Sequence, residues 1–399
     1  MYQLMQLVQQ IQLKRSKILD EITFLSKNLF NVATYTVRQR FFKDRHWIRY
    51  NELWKLLRTH ESYKKLQEMC GSHPPQQVLK QVDRNLKSFF KAIKVWKSER
   101  LKFKGRPKLP RYKRKNGHNL VYFTSLQCRL KNGHVLLTQK MENLGFPKIK
   151  TALKSVRGVR IVPFGDRYNI ELIYDYEPKN LHLNENNALG IDLGLNNVVT
   201  ASDNIGNKPL IIKGGVVKSI NQFYNKQLSK YKSMAKKCND TDVTGRILRL
   251  HRKRNNKMRD FFHKTSRKIV NYCISNDIGT IVIGYNEGWK QEIAIGKRNN
   301  QNFVSVPFLK LVRQVEYKSE MVGIKVVKVS EEYTSQTCSS CGVVRKSNRI
   351  HRGLYACKNC GAVLNADVNA SRNILRKEVP KSFGIGDRGC LNHPVVLKV

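Results

Sequence analysis

Two Cys-x-x-Cys pairs separated by fifteen residues constrain this chain more than any other feature: Cys338-Ser-Ser-Cys341 and Cys357-Lys-Asn-Cys360. Each pair makes a tight knuckle that aims two thiolates at one ion, and two knuckles complete a tetrahedral four-cysteine site. Gly342 and Gly361 directly follow the knuckles, where the backbone must approach closely. Four thiolates suit Zn2+ and leave no position open for water, so the expected zinc is structural. A redox Cys-x-x-Cys would not need a second matching pair. The basic loop between the knuckles, RKSNRIHR (345–352), suits either a nucleic-acid contact or a solvated surface. The other five of nine cysteines, Cys390 among them, are scattered, which argues for a reducing compartment rather than a disulfide framework.

Charge narrows the partners. The 399 residues carry 75 Lys plus Arg against 29 Asp plus Glu, a formal charge of +46. Self-repulsion of that size is relieved by a polyanion, and a chain this basic is expected to bind nucleic acid. A hydrophobic fraction of 40% fits a folded protein, and the length fits two or three domains. No apolar run reaches 18 residues, and the start MYQLMQLVQQIQLKRSK lacks a signal-peptide core. A membrane protein, a secreted scaffold and a carrier of acidic ligands are poor fits.

Hydrophobic periodicity sets out the elements. Apolar positions from Leu19 to Ala33 recur at three and four, and residues 17–68 read as helical. Pro74 and Pro75 read as a break before a second helix from about Gln76 to Trp96. Gln76 and Lys80 lie one turn apart near its start, where such side chains can reach base edges or phosphates, or simply face solvent. KFKGRPKLPRYKRK (102–115) has eight basic residues, no acid and two prolines. It reads as an extended strap that tracks phosphates, with Lys104, Arg106, Arg111 and Lys113 as candidates. From 119 to 176 the period changes to two, giving two hairpins. Residues 177–187, polar and rich in turn formers, mark a domain boundary. Strands are expected at 188–193, 196–202, 208–213, 280–284 and 323–330. Basic helices are expected at 219–238 and 245–275, and a helix from Pro307 to about Met321.

Two acids stand out in so basic a chain. Asp192 lies inside the apolar, glycine-flanked GIDLG, where a lone charge is costly unless it meets a metal or a partner. Asp367 lies in LNADVNASRNIL at a helix start, where an aspartate can also serve as a cap or first-turn acid. Hydrolysis of phosphodiesters by two Mg2+ ions needs about three carboxylates on facing elements.

The order GIDLG, a long basic helical region, a strand, then YTSQTCSSCG, YACKNCG and LNADVNASRNI resembles the RuvC and zinc-ribbon half of TnpB (OrfB) proteins, transposon-encoded RNA-guided nucleases related to type V CRISPR effectors. FLSKNLFNVATYTVRQRFF, PPQQVLKQVDRNLKSFFKAIK and KGRPKLPRYK resemble the other half. The resemblance covers about residues 10–376 and is most specific from Tyr333 to Ile374. It implies an α+β multidomain protein: a helical recognition module (17–101) inserted in a β-barrel wedge (1–16 and 102–180), followed by a ribonuclease H-like RuvC domain (188–332 and 363–376) interrupted by the zinc ribbon (333–362). Residues 377–399 match nothing interpretable. The implied activity is guide-RNA-directed cleavage of double-stranded target DNA next to a short motif that the N-terminal modules read. A single chain is favoured as the active unit, in the nucleoid of a prokaryote or the nucleus of a eukaryote.

In that resemblance Asp192 matches the first RuvC carboxylate and Asp367 the third. The second usually follows an apolar strand directly, but here IVIGYNEGWK puts Gly284 at that place. Glycine cannot bind a metal, so the site is either dead or completed by another acid. Glu331 and Glu332 begin 47 residues further on, as in the eukaryotic Fanzors and a subset of TnpB proteins. On a strand they face opposite sides, and Glu331 shares parity with Val327 and Val329, so Glu331 is the expected ligand. Glu287 and Glu292 are weaker substitutes beside Trp289. The expected cofactors are structural Zn2+ on Cys338, Cys341, Cys357 and Cys360, and catalytic Mg2+ on Asp192, Glu331 and Asp367. A nuclease-dead RNA-guided repressor and a zinc-ribbon accessory factor of a transposon are the other readings.

Overall fold

The structure, a computed structural model, describes residues 4–286, 296–351, 353–379 and 393–399. Glu287, Trp289, Glu292, Arg352 and Cys390 lie outside the described residues. The chain divides into two compact units, one ending at Tyr176 and the other beginning at Glu177. No helix among the described residues is long and apolar enough to cross a membrane.

In the first unit, β1 (Met5–Lys14) leads into α1 (Lys17–Asp44), α2 (Tyr50–Leu57), α3 (Glu61–Cys70) and α4 (His73–Ser98). The single helix expected over 17–68 is therefore three. Arg45, at φ 54°, closes α1 by donating its N–H to Phe41 O, and Ile48 is 1% exposed in the break that follows. Burying Ile48 outweighs continuing the helix. Pro74 and Pro75 do not break the chain before α4. They sit in its first turn, where a missing N–H costs no hydrogen bond.

The strands that follow are β2 (Val121–Thr124), β3 (Arg129–Lys131), β4 (His134–Leu136), then the short α5 (Gln139–Asn143), β5 (Ile149–Lys150), β6 (Gly158–Phe164) and β7 (Arg167–Tyr176). The expected first hairpin is split: β2 joins one sheet, while β3 and β4 pair in another. The larger sheet has the order β1-β7-β6-β2, with β1 paired antiparallel to β7 from Met5↔Tyr176 to Lys14↔Arg167. It is open at β1 and β2 rather than a closed barrel, because the three remaining short strands pair among themselves. Phe30 of α1, Leu79 of α4, Phe123 of β2 and Ile170 of β7 belong to one hydrophobic core. The helices inserted between β1 and β2 thus share the sheet's core instead of forming their own.

The strap holds no helix or strand from Phe103 to Leu120. Side chains of α1 pin its backbone. Lys27 Nζ donates to Lys115 O (2.8 Å), Asn31 Oδ1 accepts from Lys113 N (2.8 Å), and Arg38 donates to Pro110 O (3.2 Å).

The second unit contains β8 (Ala188–Asp192), β9 (Asn197–Asp203), β10 (Leu210–Lys213), α6 (Gly215–Asn239), α7 (Gly245–Ser275), β11 (Thr280–Gly284), α8 (Lys297–Ser305), α9 (Phe308–Glu320) and β12 (Lys325–Val329). A small sheet follows, of β13 (Arg349–His351), β14 (Leu354–Ala356) and β15 (Val363–Asn365), then α10 (Ala366–Arg376) and β16 (Val395–Val396). The main sheet has the order β12-β11-β8-β9-β10-β16. β12, β11 and β8 run parallel, and β9 and β10 are antiparallel to their preceding neighbours. The uninterpreted tail supplies β16, which covers the edge of β10.

Alternation along the strands decides which residues meet which helices. Leu189, Ile191, Ile281 and Ile283 face a core shared with Met258, Phe262 and Ile269 of α7 and with Leu311 and Val315 of α9. Ala188 and Val282 face the other way, onto Ile374 and Leu375 of α10. Gly190 lies on that second face. A Cβ there would stand 2.4 Å from Ser371 O and 2.6 Å from Leu375 Cβ, so glycine is what lets α10 sit directly on β8.

Candidate active site and metal centre

By the same alternation Asp192, two residues after Gly190, falls on the α10 side at the carboxyl end of β8. β11 ends beside it at Gly284, and β12 ends next at Val329. The carboxyl ends of adjacent parallel strands are where open α/β sheets bind ligands. A cleft of about 310 Å³ opens there, lined by Asp192, Asn197, Phe303, Glu331, Arg349 and Asp367 among others.

Glu331 lies past the end of its strand, which is shorter than expected and stops at Val329. The parity argument therefore does not position it; hydrogen bonds do. Glu331 N donates to Asn286 Oδ1 (3.2 Å), and Glu331 O accepts from Thr334 Oγ1 (2.8 Å). Glu332 is exposed. Glu331 Oε1 is buried without a hydrogen-bond partner among the described residues. Burial, reinforced by the negative charge of Asp192, pushes the Glu331 carboxyl up to about 8. Burial and the neighbouring Asp367 raise Asp192 to about 7, with Arg349 opposing.

Asp367 sits in the first turn of α10, but it is not the cap. Asn365 takes that role, accepting from Asp367 N (3.0 Å) and Val368 N (3.2 Å). The Asp367 carboxylate is left to face the cleft. Its Oδ2 accepts from Asn197 Nδ2 (2.7 Å), and its Oδ1 lies 3.7 Å from Arg349 Nη2.

Mutually repelling carboxyls, one with an orphaned buried oxygen, are the environment that a hard divalent cation stabilises. The donor set thus fits Mg2+. The three carboxylates are not drawn as tightly together as the cysteines, the one group among the described residues whose ligand atoms all lie within 4.8 Å of one another.

In that cluster Cys338 Sγ lies 3.7 Å from Cys360 Sγ, and Cys341 Sγ lies 3.6 Å from Cys357 Sγ. A tetrahedron with Zn–S bonds near 2.3 Å has edges of about 3.8 Å, so the four sulfurs fit zinc. Both knuckles close identically: Gly342 N donates to Cys338 O and Gly361 N to Cys357 O, each 2.9 Å, with the glycines at φ 77° and 68°. Burial raises the Cys338 thiol. Burial also works on Cys341, but hydrogen bonds from Val343 N–H and Asn359 draw it below the usual thiol range.

α10 connects the two sites. Asn369 Oδ1 accepts from Ser339 N (2.8 Å) inside the first knuckle, and its Nδ2 donates to Thr337 O (2.8 Å). Asn373 Nδ2 donates to Thr334 O (2.8 Å) and Thr337 O (2.6 Å). The helix bearing Asp367 therefore grips the segment that runs from Glu331 to Cys338.

The sequence reading missed Asn197, Arg349, Asn369 and Asn373. Asn365, the cap of α10, and Asn369 and Asn373 within it recur every fourth residue, a one-face asparagine pattern that could have revealed them. Arg349 was legible only as part of a basic loop. Gln76 and Lys80, in the first unit, are both engaged by Tyr50: its OH donates to Gln76 Oε1 (3.4 Å), and Lys80 Nζ stands 4.9 Å from its ring centre. Lys104, Arg106, Arg111 and Lys113 are exposed along the pinned strap.

Residues 171–290 match the family model OrfB_IS605, described as a probable transposase, and residues 308–374 match the Cas12f1-like TNB domain. The resemblance to TnpB (OrfB) proteins is thereby shown, in the second unit above all. One relative is the CRISPR-associated endodeoxyribonuclease Cas12f1 of Sulfoacidibacillus thermotolerans, 31% identical over 54% of this chain and 51% of its own length. Another is the putative RNA-guided DNA endonuclease InsQ of Escherichia coli K12, 25% identical over 76% of this chain and 74% of its own. The chain thus spans about half the length of the Cas12f1 relative. Among solved structures, a Cas12f1–sgRNA–target DNA complex shares the α+β fold with a TM-score of 0.56 at 15% identity, over 90% of this chain and 82% of that one.

Proposed function

We propose that this chain is an RNA-guided DNA endonuclease encoded by a transposable element, with a ribonuclease H-like RuvC site made of Asp192, Glu331 and Asp367. The observation that carries the reading is that Glu331, with one carboxylate oxygen buried and unsatisfied, lines the cleft shared with Asp192 and Asp367. That favours a working site over a dead one despite Gly284. The relatives' names agree with it.

Asp192, Glu331 and Asp367 would hold Mg2+, which supplies activation of the attacking water and charge neutralisation at the leaving oxygen. The chain's own residues prepare that chemistry. Asn197 fixes the orientation of the Asp367 carboxylate. Arg349, on the small cysteine-bearing sheet, brings a cation to the cleft for a scissile phosphate. The basic helices and the strap would hold guide RNA and its hybrid with target DNA through phosphates, base pairing reading the sequence. The four-cysteine site would hold structural Zn2+.

The test is cleavage of a target plasmid library by protein coexpressed with its adjacent genomic RNA, in Mg2+. Guide-dependent cleavage that Asp192→Ala and Glu331→Ala abolish and Glu332→Ala keeps is the expected result. Guide-directed binding without cleavage by the wild type would overturn the nuclease reading in favour of a programmable DNA binder.

A further inference from the structure

Tyr333 carries a backbone conformation that a bulky residue rarely adopts. Its φ is 61°, in the left-handed region, which suits glycine and asparagine far better than tyrosine. Among the described residues it is the one Phe, Tyr or Trp in that region. The residue is 66% exposed, so little burial compensates for the strain.

The surroundings enforce that conformation from both sides. Upstream, Lys377 Nζ donates to Ser330 O (2.7 Å) and Glu332 O (3.0 Å). Downstream, Asn373 holds Thr334 O and Thr337 O. Tyr333 O itself accepts from Gln336 N and Thr337 N, both at 3.0 Å. Strain of this kind persists only where neighbouring structure over-determines it, and it gathers at functional sites. Every backbone carbonyl from Ser330 to Thr334 is thus held by α10, by the residue after it or by the turn itself. The ring is what the turn presents.

Glu331, Thr334 and Ser335, on either side of it, line the carboxylate cleft, while Tyr333 itself is exposed beside that lining and not part of it. We propose that Tyr333 is a base-stacking residue for single-stranded DNA: its exposed ring takes the face of a nucleobase next to the phosphate seated in the cleft. This rests on the reading of that cleft as a DNA-cleaving site. Aromatic faces accept any base, so the contact fixes strand position without sequence preference. A phosphate-only cleft would leave the strand free to slide. A ring anchored two residues from Glu331 prevents this.

The test uses the full chain and a short single-stranded DNA carrying 2-aminopurine, with Ca2+ replacing Mg2+ so that binding is read without hydrolysis. Stacking quenches the fluorophore. Wild type and Tyr333→Phe should both quench. Tyr333→Asn should lose the quenching and bind about tenfold more weakly, the usual loss for one stacked base. Because asparagine tolerates this φ, Tyr333→Asn should also melt no lower than wild type, which separates loss of the ring from misfolding. Quenching retained in Tyr333→Asn, or absent in wild type, overturns the proposal. Because the readout involves no cleavage, a chain that stacks DNA through Tyr333 yet fails to cut it in Mg2+ would instead refute the nuclease reading.

Discussion

A β-carbon built on Gly284 would stand 2.8 Å from Cγ of Glu331. The two positions therefore compete for one volume. Gly284 ends β11 where the family resemblance expects a glutamate, and the missing side chain leaves room that the Glu331 side chain takes. The carboxylate reaches the cleft from the end of the neighbouring parallel strand instead. A side chain at position 284 and the Glu331 side chain as it stands cannot both occupy that space.

Gly284→Ala tests that exclusion. The added methyl would also meet Ile374 Cδ1 at 2.5 Å, so something must shift. Overpacking of this kind costs about 1–3 kcal/mol. A fall of several degrees in melting temperature is expected, with at least a tenfold drop in cleavage because Glu331 is the group displaced. Unchanged cleavage in a destabilised Gly284→Ala protein would show that Glu331 is not held by this contact.

The two raised carboxyls set a pH dependence. Burial, with the charge of Asp367 added, pushes Asp192 up to about 7, and burial, with the charge of Asp192 added, pushes Glu331 up to about 8. The folded state then binds protons that the unfolded state has released, so in the metal-free protein stability falls as pH rises from about 4 to 8. Asp192→Asn should melt higher than wild type at pH 8 without divalent cations, and the difference should shrink towards pH 4. Mg2+ should raise the wild-type melting temperature more at pH 8 than at pH 6, because binding displaces protons. A Mg2+ shift independent of pH would argue against these two carboxyls as its ligands.

Local pattern and long-range packing explain what the sequence shows and what it hides. The cysteine knuckles are legible because four ligands, two glycines and a fixed spacing all lie within short windows. β8, β9, β10 and β11 are legible because they are short runs, mainly apolar, bounded by turn formers and buried almost throughout. The break at Arg45 is not, because residues on both sides keep a helical period and only the burial of Ile48 interrupts it. The place of Glu331 follows from Asn286 and the space beside Gly284, contacts more than forty residues away in sequence. Arg349 and Asn197 join the site only once the small sheet and β9 are folded against α10. The strap's charge was plain, but its attachment through Lys27, Asn31 and Arg38 needs a helix some eighty residues earlier.

Asn373 offers a separate handle on Glu331. It is 5% exposed and its Nδ2 serves two carbonyls of the segment between Glu331 and Cys338. Asn373→Ala leaves Thr334 O unpaired and Thr337 O with Asn369 Nδ2 as its remaining side-chain donor, a loss of about 1–3 kcal/mol. Since Asn373 does not line the cleft, its effect should appear as reduced kcat with KM for DNA little changed. Asn373→Asp, which cannot donate, should be as poor as alanine, whereas a variant with full activity would remove α10's grip from the account.

Zinc removal carries the same logic to the end of that segment. Two sulfur pairs stand at tetrahedral zinc distances and all four sulfurs lie within 4.8 Å of one another, so one zinc per chain is expected on metal analysis. Cys360→Ser should lose the metal. Ser339 N in the first knuckle donates to Asn369 of α10, and Arg349, on the sheet that carries the second knuckle, lines the cleft, so losing the ion loosens both walls of the carboxylate site. Cleavage should therefore fall by at least tenfold in Cys360→Ser even at saturating Mg2+, while the unit ending at Tyr176 keeps its protection in hydrogen exchange. Zinc-free protein that cleaves at the wild-type rate would make the cysteine cluster independent of the carboxylates, and would leave α10 alone to hold Asp367 in place.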